Sequence, residues 1–350
     1  MNSNAATIVL LSALALTGCD DVLLFDVSAD GRILAPIDGA GRVAGVTDAA
    51  GLRHLAVIDV ATGEVERFTR SPLLSASWPR WCGPSGSSVA LIESRSRLVL
   101  LDAAGTRRVL LESDRRLMQP TPSPGGDRVA VLEVERPGVP GLLHVIDVAT
   151  GPVGAPADGV LLGFAWAGDA LLVPRVVGGE IDGAQPFQGG QGEVLLVRGD
   201  ERRLLFRGQL PGVTWLAPSG GDHVLAVLAR DGDPSALTLA GLSLGRPGAV
   251  AGERAEGLDL WPAVDARGRA LFTRSRPGSP TLEGELRLTR VDALGSSTRL
   301  PTPGPVCAPR WVGERVAYLT PADRLVTQDL DGRGLIDWTD RLAAIAGDLP

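Results

Sequence analysis

Val57-Ile58-Asp59-Val60-Ala61-Thr62-Gly63 recurs letter for letter as Val145-Ile146-Asp147-Val148-Ala149-Thr150-Gly151, 88 residues further on. Halfway between the two stands a looser copy, Leu100-Leu101-Asp102-Ala103-Ala104-Gly105. Others follow at Val197-Arg198-Gly199-Asp200, Val291-Asp292-Ala293-Leu294-Gly295 and Gln328-Asp329-Leu330-Asp331-Gly332. Each is an apolar or alternating run that stops at Asp and Gly. Such a run reads as a strand entering a hairpin turn: the carboxylate accepts backbone N–H groups, and Gly takes the positive φ.

A second series of turns interleaves with the first. Ser28-Ala29-Asp30-Gly31, Pro84-Ser85-Gly86, Ser123-Pro124-Gly125-Gly126-Asp127, Ala167-Gly168-Asp169, Pro218-Ser219-Gly220-Gly221-Asp222, Asp265-Ala266-Arg267-Gly268 and Val312-Gly313-Glu314 each precede a short apolar strand. Trp81, Trp166, Trp215, Trp261 and Trp311 stand a few residues before these turns, in places that look related. Two hairpins per unit make about four strands, and units of about 45 residues with four strands are the mark of propeller blades. The units fall at 22–72, 73–117, 118–159, 160–209, 210–254, 255–303 and 304–339, with Gly-rich loops at 39–53 and 176–192. The expected fold is therefore all-β: a single β-propeller over 22–339 with seven four-stranded blades, six or eight staying open. A short C-terminal helix or tail is expected over 340–350. The 45 glycines and 26 prolines agree with a turn-rich chain, and 44% hydrophobic against 21% charged residues gives it a core to bury.

The residues that carry the repeat also carry a resemblance. Ser28-Ala29-Asp30-Gly31-Arg32-Ile33-Leu34-Ala35 and Leu55-Ala56-Val57-Ile58-Asp59-Val60-Ala61-Thr62-Gly63-Glu64-Val65 resemble the repeats of TolB-type periplasmic propellers and the wider WD-repeat-like group. The likeness runs through nearly all of 22–339. Residues 1–19, MNSNAATIVLLSALALTGC, resemble a bacterial lipoprotein signal ending in the lipobox Leu16-Thr17-Gly18-Cys19. This implies a signal peptide over 1–18, a lipidated N-terminus at 19–21 and a diacylglycerol on the Cys19 thiol. Several acyl chains together anchor firmly. The chain is thus expected to be exported and lipid-anchored to a cell-envelope membrane, with the propeller in the periplasm. Asp20 and Asp21 resemble an inner-membrane retention signal of enterobacterial lipoproteins, and which membrane holds the anchor stays open.

Few residues promise chemistry. His54, His144 and His223 repeat at no common position and read as structural or surface residues, and no close Cys/His spacing marks a zinc site. Gly-x-Ser-x-Gly and Gly-x-x-x-x-Gly-Lys-Ser/Thr patterns are missing from the sequence. Asp59, Asp102, Asp147, Asp292 and Asp329 share one place in the repeat and read as turn caps. Asp329-Leu330-Asp331-Gly332-Arg333-Gly334 resembles part of a calcium loop but meets Asp340, not Glu, at its twelfth position. Cys82 and Cys307 are read as separate buried thiols, with a disulfide as the other state open to an exported chain. Pro79-Arg80-Trp81 and Pro309-Arg310-Trp311 repeat. Core packing is the first reading of Trp81 and Trp311, and stacking on a ligand at the channel mouth the second. Arg80 and Arg310 either line the channel and meet an anionic group or pair with neighbouring acids.

A formal charge of −7, with 34 basic against 41 acidic residues and no Lys/Arg run, argues against nucleic-acid binding. The expected function is a non-catalytic, monomeric scaffold without cofactor or metal that binds a protein or peptide of the envelope. The alternative is a propeller enzyme of lactonase, lyase or glycoside-acting type with its site in the central channel. A propeller regulating an attached peptidase would need a hydrolase domain beyond residue 339 and is not the expected reading.

Overall fold

The computed structural model describes residues 25–37, 40–41, 43, 52–69, 73–74, 76–83, 86–136, 139–155, 157–177, 191–209, 213–219, 221–230, 233–251, 258–275 and 283–346. The stretch expected to be a signal peptide, Cys19 and most of the two Gly-rich loops lie outside these residues. Antiparallel strands dominate. One helix, α1 (Thr339–Ala346), occurs among the described residues, and no described helix is long and apolar enough to cross a membrane.

The strands form six sheets. The first holds β1 (Asp26–Val27), β2 (Arg32–Ile37), β3 (Leu52–Asp59) and β4 (Val65–Arg67), with β5 (Leu73–Leu74) on β3. The second holds β6 (Ala76–Cys82), β7 (Ser88–Glu93), β8 (Arg97–Asp102) and β9 (Arg107–Glu112). The third, of nine strands, contains β10 (Arg116–Pro122), β11 (Arg128–Val134), β12 (Gly141–Asp147), β13 (Gly151–Pro152), β14 (Ala157–Val160), β15 (Ala165–Ala167), β16 (Ala170–Val177), β17 (Gln191–Arg198) and β18 (Glu201–Gln209). Three four-stranded meanders follow. They are β19 (Val213–Pro218), β20 (His223–Arg230), β21 (Asp233–Ser243) and β22 (Ala249–Ala251); β23 (Asp259–Val264), β24 (Arg269–Arg274), β25 (Glu285–Arg290) and β26 (Thr298–Arg299); and β27 (Cys307–Val312), β28 (Arg315–Leu319), β29 (Leu325–Gln328) and β30 (Ile336–Asp337).

Seven separate four-stranded blades are therefore not what forms. Five sheets have blade size, and the strands of the third and fourth repeats share one sheet. The reason is local. Gly151-Pro152 cuts the outer strand of the third repeat to two residues, and Pro has no N–H for a longer ladder. Strand β14 then lies between β12 and β16, pairing Val160 with Arg175, and joins the two repeats.

The chain divides into two compact units. The described residues of Arg136–Leu142 and Ala157–Pro309 form one, and those of Asp20–Glu135, Leu143–Pro156 and Arg310–Pro350 the other. Within each, consecutive sheets cover one another. In the second unit Leu34, Leu55 and Val57 pack on Trp81, Val89, Leu91, Val99 and Leu101, while Ala90, Ile92 and Leu98 meet Leu117, Val129, Val131 and Ile146. In the first, Leu172, Val194 and Leu205 meet Leu216, Val224, Ala226 and Leu242.

The first and last sheets share no strand. They meet through side chains and single backbone bonds: Val43 N donates to Asp323 O at 3.1 Å, and Arg341 of α1 donates to Gly63 O at 2.9 Å. Gly41 lies directly against α1, at φ +72°, where a Cβ would sit 2.2 Å from Ala343 N. Gly41→Ala should therefore cost about 3 kcal/mol or more of stability. Gly154→Ala, at φ +69° with nothing within 4 Å, should cost only about 1 kcal/mol. Thermal denaturation of the two variants side by side checks the difference.

Candidate functional site

The first strand of several sheets carries a bulge, at Ser77/Arg80, Met118/Thr121 and Leu260/Ala263. Trp78, Gln119 and Trp261 occupy these bulges with φ of 56°, 50° and 57°, and Ala308 in β27 has φ 50°. Each precedes a proline: Pro79, Pro120, Pro262 and Pro309. The missing N–H of proline fits where the ladder is interrupted, so the X-Pro step fixes where the bulge falls. The residue after the proline is thereby placed at one register position.

That position can be followed through the molecule. Asp26 stands opposite Leu34, Arg80 opposite Ala90 and Thr121 opposite Ala130, each time the third residue of the next strand. In the other unit the same position holds Ala165, Ala217 and Ala263. Arg310 has it in β27 through the repeated Pro-Arg-Trp. All charge in this layer is thus carried by Asp26, Arg80 and Arg310, and the second unit holds all three.

These three groups feel one another. Asp26 Oδ2 accepts a hydrogen bond from Trp81 N at 2.8 Å, which sets the carboxylate beside β6. The turn after β1 faces β27, where a Cβ at Gly31 would lie 3.9 Å from Val312 Cγ1. Arg80 Nη1 donates to Pro79 O at 3.1 Å. Arg310 is half-buried by exposed area, yet burial, followed by the Arg80 charge, pulls its pKa down to about 10 while Asp26 opposes the shift. Water reaches its surface, but protein surrounds the cation.

Of the four residues singled out in the sequence, Arg80 and Arg310 hold the same register position on their strands, and the Arg80 charge reaches Arg310. Trp81 is 7% exposed and packs edge-on against Phe68 at 5.9 Å, with Arg32 over its ring. It is part of the core between the first two sheets. Trp311 is half-buried. Asp26 was not singled out, although it stands two residues before its turn serine, as Thr121 stands two before Ser123.

The tryptophans belong to two sets rather than one. Trp81 and Trp166 stand opposite Val89 and Leu171, the second residues of their partner strands. Trp215 stands opposite Val227, three residues deeper, and Trp261 lies in the bulge. Those two rings meet at 5.1 Å.

The repeated aspartates act largely as turn caps. Asp59 accepts from Ala61 N and Thr62 N, Asp147 from Ala149 N and Thr150 N, and Asp102 from Thr106 N, all within 2.9 Å. Asp292 instead pairs with Arg290 at 2.9 Å, and Asp329 with Arg315 at 3.6 Å. Asp331 is taken by Arg333. His54 is buried against Thr69 Oγ1 at 3.1 Å, and burial together with Arg67 lowers its pKa. His144 bonds Glu133 at 2.6 Å, and His223 is exposed. Among the described residues no group of three or more His, Cys, Asp and Glu is placed to hold a metal ion.

Two other polar clusters are internally paired. Burial opposes ionisation of Glu193, but hydrogen bonds from Arg207 and Arg175 outweigh it and hold the carboxyl below its usual range. Asp259 and Arg274 form a buried two-point pair at 2.6 and 3.1 Å.

No protein-family profile matches the chain, and no curated protein sequence does. Solved structures do. An acylaminoacyl peptidase, crystallised with Z-Gly-Gly-Phe-chloromethyl ketone, matches 95% of this chain at 14% identity with a TM-score of 0.66. The chain spans 55% of that peptidase's length. The β-propeller domain of the Trilobed protease from Pyrococcus furiosus, described as having an open velcro topology, matches 90% of this chain and 98% of its own at 11% identity, TM-score 0.61.

The chain has a β-propeller fold.

It is also similar to TolB from Acinetobacter baumannii, over 89% of this chain and 77% of that one, at 14% identity and a TM-score of 0.48. That value adds nothing to the fold assignment.

Cys82 and Cys307 are thiols, not a disulfide. Cys82 Sγ donates to Gly126 O at 3.4 Å. Burial, and then Asp127, push its pKa up to about 11 from 9.0. A raised folded-state value means that the thiol's contribution is complete below pH 9 and is lost as pH rises toward 11. Cys82→Ala should show a shallower fall in denaturation midpoint over that interval, by up to about 2 kcal/mol.

Proposed function

We propose that this protein is a non-catalytic propeller scaffold, lipid-anchored in the bacterial cell envelope through Cys19, that binds a protein or peptide partner. The observation that carries the reading is the charged layer on the first strands. Arg80 and Arg310 hold equivalent register positions on their strands, whereas the corresponding positions of the other unit are alanines. The sheet edges and turns supply a broad rim for the rest of a partner. The lipobox at Leu16–Cys19 supports the anchor, and the resemblance to TolB-type repeats supports the periplasmic setting.

The test uses the full chain, expressed with its signal and extracted from membranes in mild detergent. A partner should co-purify in fixed proportion with the parent protein. The double variant Arg80→Met/Arg310→Met should lose it at an unchanged denaturation midpoint. Cys19→Ala should leave the membrane fraction and cease to incorporate labelled palmitate. Turnover of a lactone, glycoside or peptide by the purified chain, or failure of the intact folded chain to retain any partner, would overturn the reading.

A further inference from the structure

The scaffold reading leaves open which chemistry a partner presents, and the inference here rests on that reading. We infer that a cavity between the sheet carrying β15 to β18 and the sheet of β19 to β22 receives an arginine side chain of a protein or peptide partner. The cavity measures about 330 Å³, and all its walls belong to the first unit. Its floor is apolar, made by Ala167, Ala170, Leu196 and Leu244. Ala167, Leu196 and Leu244 pack on the core shared by the two sheets yet stay partly exposed. The rest of the wall is charged and exposed: Arg198, Glu201, Arg203 and Asp222. Arg198 and Glu201 stand opposite each other in the hairpin that joins β17 to β18. Asp222 closes the turn before β20, and its carbonyl accepts the Leu244 N–H at 2.7 Å, which holds that turn over the seam.

The sign of the occupant follows from which charges are already engaged. Arg198 pairs with Asp169 at 3.0 Å, and Arg203 donates to Leu244 O. The carboxylates of Glu201 and Asp222 meet no donor among the described residues. Two arginines against three carboxylates, Asp169 included, leave the cavity at −1. Asp200, Arg202, His223 and Arg246 neighbour the wall in sequence but are not part of it. A monocation therefore brings the cavity to neutrality, and the formal charge of −7 on the whole chain attracts basic partners in the same sense. The placement of the two acids selects the kind of cation. Glu201 opens β18 and Asp222 precedes β20, so the acceptors belong to different sheets. A guanidinium carries donors along both edges of a plane and can meet two separated carboxylates, whereas an ammonium acts as a point charge. It is also the more weakly hydrated of the two, so it gives up less water on entering a cleft. The methylene stem of an arginine covers the apolar floor while its head stays with the acids.

Calorimetry with the full chain in mild detergent tests this with three probes. They are N-acetyl-Gly-Gly-Arg-Gly-Gly-amide, its Lys counterpart, and its citrulline counterpart, which keeps the shape of arginine without the charge. The Arg peptide should bind with a Kd of about a millimolar, about fivefold or more tighter than the citrulline peptide and tighter than the Lys peptide. Its affinity should fall as salt rises from about 20 to about 200 mM. Glu201→Gln and Asp222→Asn should each weaken the Arg peptide about fivefold at an unchanged denaturation midpoint; should one of them fail to fold, the other still reads the site. Asp200→Asn, in the same hairpin but outside the wall, should leave binding as it is. Equal binding of the citrulline peptide, tighter binding of the Lys peptide, or indifference to both wall variants would overturn the inference. So would equal losses from Asp200→Asn, which would mean a diffuse charge effect. A dimer of the parent that Glu201→Gln dissolves would place a second copy of this chain in the cavity and overturn the proposed occupant. Lost arginine preference with partner capture intact would sink this site alone. A working arginine site in a chain that captures nothing would sink the scaffold reading instead.

Discussion

Each sheet of this protein is apolar on both faces and cannot stand without a neighbour on each. Strand β7 shows the constraint most plainly, with five of its six residues buried, Val89 and Leu91 toward one cluster and Ala90 and Ile92 toward the other. An isolated four-stranded meander with such a strand would expose two greasy surfaces. Stacking sheet on sheet removes both at once, and the repeat in the sequence exists to supply those neighbours. Trp81 is the largest member of the seam between the first two sheets, and its burial there explains why it serves packing rather than recognition.

The same constraint limits where function can sit. Side chains on the sheet faces are committed to neighbours, so chemistry is left to turns and to the first strands, where bulges re-aim residues. On the first strands Asp26, Arg80 and Arg310 hold one register position. Elsewhere the charges are absorbed locally: Glu193 by Arg175 and Arg207, Asp259 by Arg274, Asp292 by Arg290. In the cavity of about 330 Å³ lined by Arg198, Glu201, Arg203 and Asp222 the two cations follow this pattern, since Arg198 pairs with Asp169 and Arg203 with Leu244 O.

Much of the fold was legible because hairpins write themselves in short code. Asp59 and Asp147 cap their turns as a strand ending in Asp-x-x-x-Gly requires, and Gly63 and Gly151 take positive φ. What escaped reading depended on contacts the code does not contain. The joining of the third and fourth repeats follows from Gly151-Pro152 being too short to seal an edge, which shows only once β14 is placed. The tryptophans share a distance to a turn, but register separates Trp81 from Trp215 by three positions. Asp26 carries no local signal of its own; it becomes informative only when aligned with Arg80 and Arg310. The X-Pro step that creates this alignment was visible at Trp78-Pro79, Gln119-Pro120, Trp261-Pro262 and Ala308-Pro309.

Mutual shielding has a direct consequence for how the structure opens. Within one unit, the central strands β2, β7 and β11 should not unfold separately, because releasing one bares the face of the next. Native-state hydrogen exchange reads this residue by residue. The amides of Leu34, Leu91 and Val131 should exchange through one shared opening, with equal free energies and equal dependence on denaturant. Distinct free energies and denaturant slopes for the three strands would show that each sheet holds itself together, and the account of this fold as interdependent sheets would fail.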